Sequence, residues 1–258
     1  MQRNSADWKP LIHCITNPIA MNFTANGVLA LHGRPIMAEH PGEVSEITEK
    51  ADALLLNFGN ISDSRMIAIK IALEKANQKK IPVVLDVCGV ACSSLRRGFF
   101  QSLMDIGKVD VIKGNYSEIL CLYDKCYSTS GVDADESAKM RQVEQIAAYL
   151  ARQYSCTILA TGEVDIIACK PKDVVEVIKL RGGSPQMAEI TATGCLLGAV
   201  VATFLAYENS IKAVEEAVTL FSKCGELAET DKGNGSFMTN FLDELSLEKN
   251  HRGYVIGD

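Results

Sequence analysis

No CxxC pair occurs in this chain, and only four histidines accompany its nine cysteines. Cys88 with Cys92, and Cys121 with Cys126, have no histidine near them, so neither pair reads as a zinc site. Most of the scattered cysteines read instead as small buried hydrophobes in a reducing compartment. No G-x-x-x-x-G-K-[ST] is present, which excludes P-loop ATP binding, and no GxGxxG follows the first strand, which weakens a dinucleotide-binding reading. A net charge of −6 with no basic patch argues against non-specific nucleic-acid binding. The longest apolar run, Cys195 to Tyr207, is too short to span a bilayer, and Met1 to Pro10 has no apolar signal-peptide core. The expected location is therefore the cytoplasm, with no membrane partner. No repeat, low-complexity tract or linker marks a boundary, so one domain over residues 1–258 is expected.

What the chain does have is apolar sequence: 47% hydrophobic against 22% charged residues, enough for one large core. Short uninterrupted apolar strands are expected at Leu11–Ile15, Ala53–Asn57, Pro82–Asp86, Val109–Lys113 and Cys156–Thr161. A shorter strand is expected at Arg34–Ala38, and an antiparallel hairpin at Asp165–Cys169 and Val174–Leu180, joined by Lys170–Asp173. Helices are expected between them. The first runs from an Asn17 cap and Pro18 to about Leu31, with Gly33 as C-terminal cap. Others span about Pro41–Lys50, Lys79 back to a Ser62 cap, Ser117–Tyr123 and Glu136–Gln153. Leu95, Phe99, Leu103 and Ile106 fall on one helical face, and residues 125–135 read as a polar loop. The last helices are expected near 194–207, 210–230 and 239–247. Such alternation predicts a mainly parallel sheet covered by helices on both faces, with ligands beyond the carboxyl ends of the strands.

Those strand ends carry the chemistry. Asn57-Phe58-Gly59, Asp86, Lys113-Gly114-Asn115 with Glu118, and Thr161-Gly162-Glu163 should share one rim. Asp86 and Glu118 are hard oxygen ligands suited to Mg²⁺ beside phosphates, or else capping and surface acids. Lys113 offers a point charge to a phosphate, or is a solvated strand-end lysine. Thr193-Gly194-Cys195 opens an almost uncharged helix. It reads either as an anion site with an activated thiol or as a tight turn before a core helix with a buried cysteine. Met21 and Met37 would wall a small, flat, mostly apolar ligand, or fill core gaps. Together the rim suggests a Mg-assisted phosphate transfer to a small apolar-bodied substrate, driven by positioning and charge neutralisation.

The blocks His13-Cys-Ile-Thr-Asn17, Met21-Asn-Phe-Thr-Ala-Asn26, Pro35-Ile-Met-Ala38, Lys113-Gly-Asn-Tyr-Ser-Glu118, Thr161-Gly-Glu-Val-Asp165 and Thr193-Gly-Cys195 resemble the hydroxyethylthiazole kinases. The order is kept from residue 11 to Gly235-Ser236-Phe237. The resemblance implies a ribokinase-like α/β fold, three-layered. It also implies ATP- and Mg²⁺-dependent phosphorylation of a hydroxyethyl-methylthiazole in thiamine salvage, by a homotrimer with active sites at its interfaces. It places Met37, Met21, the Asn17 region, Ala192 and Gly194 against the thiazole, and Lys113, Asn115 and Thr161 against ATP. Asp86 and Glu118 would lie near the metal, and Cys195 stands where most ribokinase-like enzymes place a catalytic Asp. Three positions depart from the family pattern. Ala192 replaces a usual Gly, Lys113 a common Arg, and Asp86-Val87-Cys88-Gly89 the usual Asp-Pro-Val-Gly. Two alternatives share the residues: a ribokinase-like kinase of a pyrimidine or pyridine alcohol, and a non-catalytic thiazole or nucleotide binder. A cysteine-nucleophile enzyme fits worse, because no His or Asp is placed by motif to serve Cys195.

Overall fold

The computed structural model describes residues 8–123, 136–169 and 175–256. Eight strands form one sheet: β1 Leu11–Ile15, β2 Arg34–Ile36, β3 Ala53–Asn57, β4 Val83–Asp86, β5 Val111–Asn115, β6 Thr157–Thr161, β7 Val164–Cys169 and β8 Glu176–Arg181. Their order is β2-β1-β3-β4-β5-β6-β7-β8. The first six are parallel, while β7 and β8 continue the sheet antiparallel. The chain reverses its direction of travel across the sheet between β1 and β3, and such a switch point opens a crevice at the strands' carboxyl ends. The expected loop at 125–135 and the Lys170–Asp173 connection lie outside the described residues.

The central strands β1 and β3 to β6 are mainly apolar because both faces are covered, whereas the edge strands β2 and β8 carry exposed polar residues. Leu54 and Leu56 of β3 join one core, whereas Ala53 and Leu55 join the other. The first core is closed by α2 Val44–Lys50, α3 Asp63–Lys79, α4 Ser94–Met104, α5 Tyr116–Tyr123 and α6 Glu136–Tyr154. The second is closed by α1 Met21–Ala30, α7 Thr193–Tyr207, α8 Ile211–Leu227 and α9 Asn234–Ser246. A last short helix, α10, spans Glu248–His251. Helix α7 packs on β1, β3 and β4 and is apolar on every side, with all residues from Leu196 to Ala206 buried. Each large side chain buried there contributes about 1.5–3 kcal/mol. Gly27 lets α1 close on α7: a Cβ at that position would stand 2.1 Å from Leu196 Cδ1.

Several sequence expectations need correction. Helix α1 begins at Met21, not at Pro18, because Asn17 Oδ1 accepts from Ala20 N at 2.9 Å and holds residues 17–20 as a turn. The left-handed residue at its end is His32 (φ 60°), with Gly33 N donating to Val28 O behind it. Helix α2 starts at Val44, later than Pro41. On α4 the buried face is Phe99, Phe100 and Leu103; Leu95 is exposed, and Ile106 lies beyond the helix and is exposed as well. Helix α9 starts at Asn234, five residues before the expected position. The Ser62 cap is as expected, its Oγ accepting from Arg65 N at 3.3 Å.

Candidate active site

The carboxyl ends of β1 and β3 meet the first turn of α7. Asn17 Nδ2 donates to Cys195 Sγ at 3.5 Å and lies 3.5 Å from Asn57 Oδ1. Three elements distant in sequence therefore converge at the switch point. The β3 end is clamped from below by Arg65, whose Nη1 donates to Gly59 O at 3.1 Å and to Asn60 O at 2.5 Å, while its Nε pairs with Glu39. His13 ties β1 to its neighbours through Thr48 Oγ1 and Ala38 O, both at 2.9 Å, so the residue after Met37 is pinned to the same edge. His13 is thus a satisfied core histidine, its pKa lowered mainly by burial.

Beside the cysteine lies a buried ion pair. Lys113 Nζ meets Asp86 Oδ2 at 3.0 Å, with both side chains almost wholly buried. Burial alone would push the Lys113 ammonium down; Asp86, the Cys195 sulfur and Glu118 outweigh it and hold the pKa above the ordinary lysine value. Gly194 admits this lysine to the turn, since a Cβ there would sit 3.3 Å from Nζ. Asp86 Oδ1 also accepts from Cys88 N at 3.1 Å. Glu118 forms a capping box with Asn115: its Oε2 accepts from Asn115 N at 2.7 Å, and Asn115 Oδ1 accepts from Glu118 N at 2.9 Å. Its other oxygen accepts from Gly89 N at 2.7 Å. Glu118 is raised above the usual carboxylate range, first by burial and then by the Asp86 charge, against its backbone hydrogen bonds.

Cys195 is half-buried and its pKa is lowered, chiefly by the Cys88 thiol that donates to it, with Lys113 and Asn57 adding to this against burial and Asp86. The N-terminus of α7 favours the same thiolate. Ala192 caps that helix in the left-handed region at φ 71°, ψ 0°, a conformation that usually calls for glycine. Ala192 O accepts from Leu196 N at 2.8 Å, so the N–H groups of residues 193–195 precede the first intrahelical bond and are unspent by the helix.

Thr161 lines up with Asn115 across β5 and β6, and its Oγ1 donates to Gly114 O at 3.4 Å. Thr161, Asp165, Met187, Gly194, Leu197 and Phe221 line an open cavity of about 550 Å³ that runs from the cysteine turn along α7. A second cavity of similar volume lies at the opposite ends of β5 and β6, beside Lys80, Lys108 and Ser210, away from all of this chemistry. Met21 opens α1 and Met37 follows β2, both half-buried, with Met37 packed on the α7 side of the core. The expected residues thus fall into an Asn17–Cys195 crevice, an Asp86–Lys113–Glu118 cluster and a Thr161–Gly194 cavity. Sequence reasoning left Asn57, Cys88 and Asp165 without roles. Asn57-Phe-Gly59 is an Asx-turn signal at a strand end that could have singled out the first. Most other cysteines are structural as expected: Cys14, Cys156 and Cys224 are buried, and burial pushes each thiol up to about 12. Cys92 is exposed.

An eight-stranded, mainly parallel sheet covered by helices on both faces, with its chemistry at the switch point, defines a ribokinase-like α/β protein. A ribokinase-like superfamily protein from Enterococcus faecalis shares that fold, with a TM-score of 0.65 at 16% identity over 94% of this chain and 89% of its own. The model of the hydroxyethylthiazole kinase family matches residues 3–250. A hydroxyethylthiazole kinase from an Exiguobacterium species is 40% identical over 238 residues, covering 92% of this chain and 88% of the relative. The hydroxyethylthiazole kinase structure from Pyrococcus horikoshii superposes with a TM-score of 0.83 at 30% identity, covering 95% and 92% of the two chains. The chain belongs to the hydroxyethylthiazole kinase family.

Proposed function

We propose that this protein is an ATP-dependent kinase that phosphorylates the hydroxyl of 4-methyl-5-(2-hydroxyethyl)thiazole in thiamine salvage, as one domain over residues 1–258 in the cytoplasm. The observation that carries the mechanism is the convergence of Cys195, Asn17 and the Lys113–Asp86 pair at the N-terminus of α7. The thiazole lies between Met21, Met37 and Asn17, with its side chain directed to the turn at Ala192–Cys195. The nucleotide occupies the cavity between Thr161 and α7, with its phosphates toward Lys113, Asn115 and Gly194.

The acceptor hydroxyl attacks the γ-phosphate in line and gives its proton to the Cys195 sulfur, which Cys88, Lys113 and the helix N-terminus favour as thiolate. Lys113 and the N–H groups of residues 193–195 offset charge on the transferring group. Asp86 and Glu118 fit Mg²⁺: they are two hard carboxylates whose mutual repulsion helps raise Glu118, and a divalent cation would relieve it. Each carboxylate oxygen with a partner has lone pairs to spare, although they are too few for an all-protein cage, so water and phosphate would supply the rest. When bound, the ion neutralises polyphosphate charge.

A homotrimer with interface active sites is part of this reading. Ile19 and Leu29, large and exposed at either end of the α1 region beside Asn17, support a subunit contact there. The test is transfer of labelled γ-phosphate to a panel of thiazole, pyrimidine and pyridine alcohols, with the mass of the complex measured by light scattering. The thiazole alcohol should be preferred by at least tenfold in kcat/KM (about 1.4 kcal/mol). Preference for another ring would move the assignment to that alcohol, and tight binding without transfer would make the protein a binder.

A further inference from the structure

Asn57 ends β3, pairs in register with Asp86, and is fully buried. Its orientation is fixed by its surroundings. Gly59 N–H, which can only donate, meets the amide at 2.7 Å, so the atom it meets is the oxygen Oδ1. Asn17 Nδ2 also faces that oxygen, at 3.5 Å. Arg65 holds the Gly59 and Asn60 carbonyls, so the turn cannot swing away. Flipping the amide would set donor against donor. The Nδ2 group is therefore directed away from the turn and toward Cys195, near enough to favour the thiolate, yet it is buried and makes no hydrogen bond of proper geometry to the sulfur. The group beside it is Cys195, which already receives Asn17 Nδ2. Thr16 Oγ1, on the adjacent end of β1, is likewise buried without a partner. Buried polar groups are nearly always paired, and an orphan donor beside the half-buried Cys195 marks where a ligand acceptor belongs.

We propose that Asn57 is a further substrate-binding residue, its Nδ2 donating to the oxygen of the acceptor hydroxyl while the proton of that hydroxyl faces Cys195. This rests on the thiazole kinase reading and extends it: one donor holds the nucleophilic oxygen, so its remaining lone pair is the one presented to the phosphate. A primary alcohol satisfies the donor, whereas the same ring with a plain ethyl chain leaves it orphaned. Discrimination of this kind comes from the site's unpaired group rather than from shape.

The test compares binding of 4-methyl-5-(2-hydroxyethyl)thiazole and 4-methyl-5-ethylthiazole by calorimetry, in the wild type, Asn57→Ala and Asn57→Ser. Each variant meets both ligands, so any general loosening of the site cancels in the ratio of dissociation constants. Asn57→Ser preserves the turn, because a serine Oγ can accept from the N–H two residues on, and it keeps the test alive should Asn57→Ala not fold. The preference for the alcohol should fall by about tenfold in either folded variant. A fall of threefold or more supports the assignment; a smaller change overturns it. If the wild type binds neither thiazole, the thiazole kinase reading fails and takes this inference with it.

Discussion

Replacing Ala192 by glycine should stabilise the protein, even though glycine usually weakens a fold. Ala192 sits at φ 71°, ψ 0° immediately before α7. A side chain in that region costs about 1–2 kcal/mol, which glycine does not incur. Against this stand about 0.4–1 kcal/mol of extra freedom in the unfolded chain and about 0.4 kcal/mol for a half-buried methyl. The methyl packs on the α7 core, so this last loss is real. The balance favours glycine by about 0.5 kcal/mol, which in a domain of this size raises Tm by about 1–2 °C. Ala192→Val places a β-branched side chain in the same conformation and should lower Tm by several degrees. Differential scanning calorimetry of the three proteins in one buffer decides the matter. If Ala192→Gly melts 2 °C or more below the wild type, or if Ala192→Val matches it, the left-handed strain at the turn before α7 is wrongly assigned.

Lys113→Met leaves Asp86 charged, buried and unpaired, and should cost about 3–5 kcal/mol in urea denaturation; adding Asp86→Asn should recover most of it. Asp165 is pushed up to about 6 from 3.8, chiefly by burial, so the native state holds its proton more tightly than the unfolded chain. Its contribution to stability is therefore fully present below about pH 4 and is lost as pH rises to about 6, by at most about 2–3 kcal/mol. Asp165→Asn keeps the acceptor for Gly162 N and should flatten that part of the stability–pH curve. Iodoacetamide followed by peptide mapping should label Cys195 and exposed Cys92 in the native protein, and Cys14, Cys156 and Cys224 only on unfolding. Labelling of the latter three at native rates would contradict their burial. Cys195→Ala should lower the rate constant of the chemical step by at least about 100-fold, while Cys195→Asp should keep activity and move its acid limb to lower pH. Unchanged rates in both would remove the proton-transfer role.

The sheet was legible because β1 and β3 to β6 are mainly apolar runs, which burial on both faces explains, while the short edge strand β2 is partly exposed. Helix α3 was legible from Ser62 and Lys79, where local capping decides the ends. The start of α1 was not. Asn17 can cap a helix or close a turn on its own side, and contact with Asn57 and Cys195, 40 and 178 residues away, selects the turn. The α4 face failed because Leu95 sits in the first turn and Ile106 past the end, so periodicity outran the helix. The site was legible as a set of strand ends, since parallel topology brings them together. The salt bridge that buries Lys113 was not, because a strand-end lysine carries no sign of its partner in sequence. Nor was the orphan Nδ2 of Asn57, which depends on a glycine N–H two residues later fixing the flip.

The central claim is that phosphate passes from ATP to a thiazole alcohol at the N-terminus of α7. Its most direct measurement is ADP release from the purified full chain, with and without 4-methyl-5-(2-hydroxyethyl)thiazole and Mg²⁺. ADP should appear in proportion to phosphorylated thiazole and only when both are present. ADP release that does not depend on the thiazole, or none at all, would contradict the account.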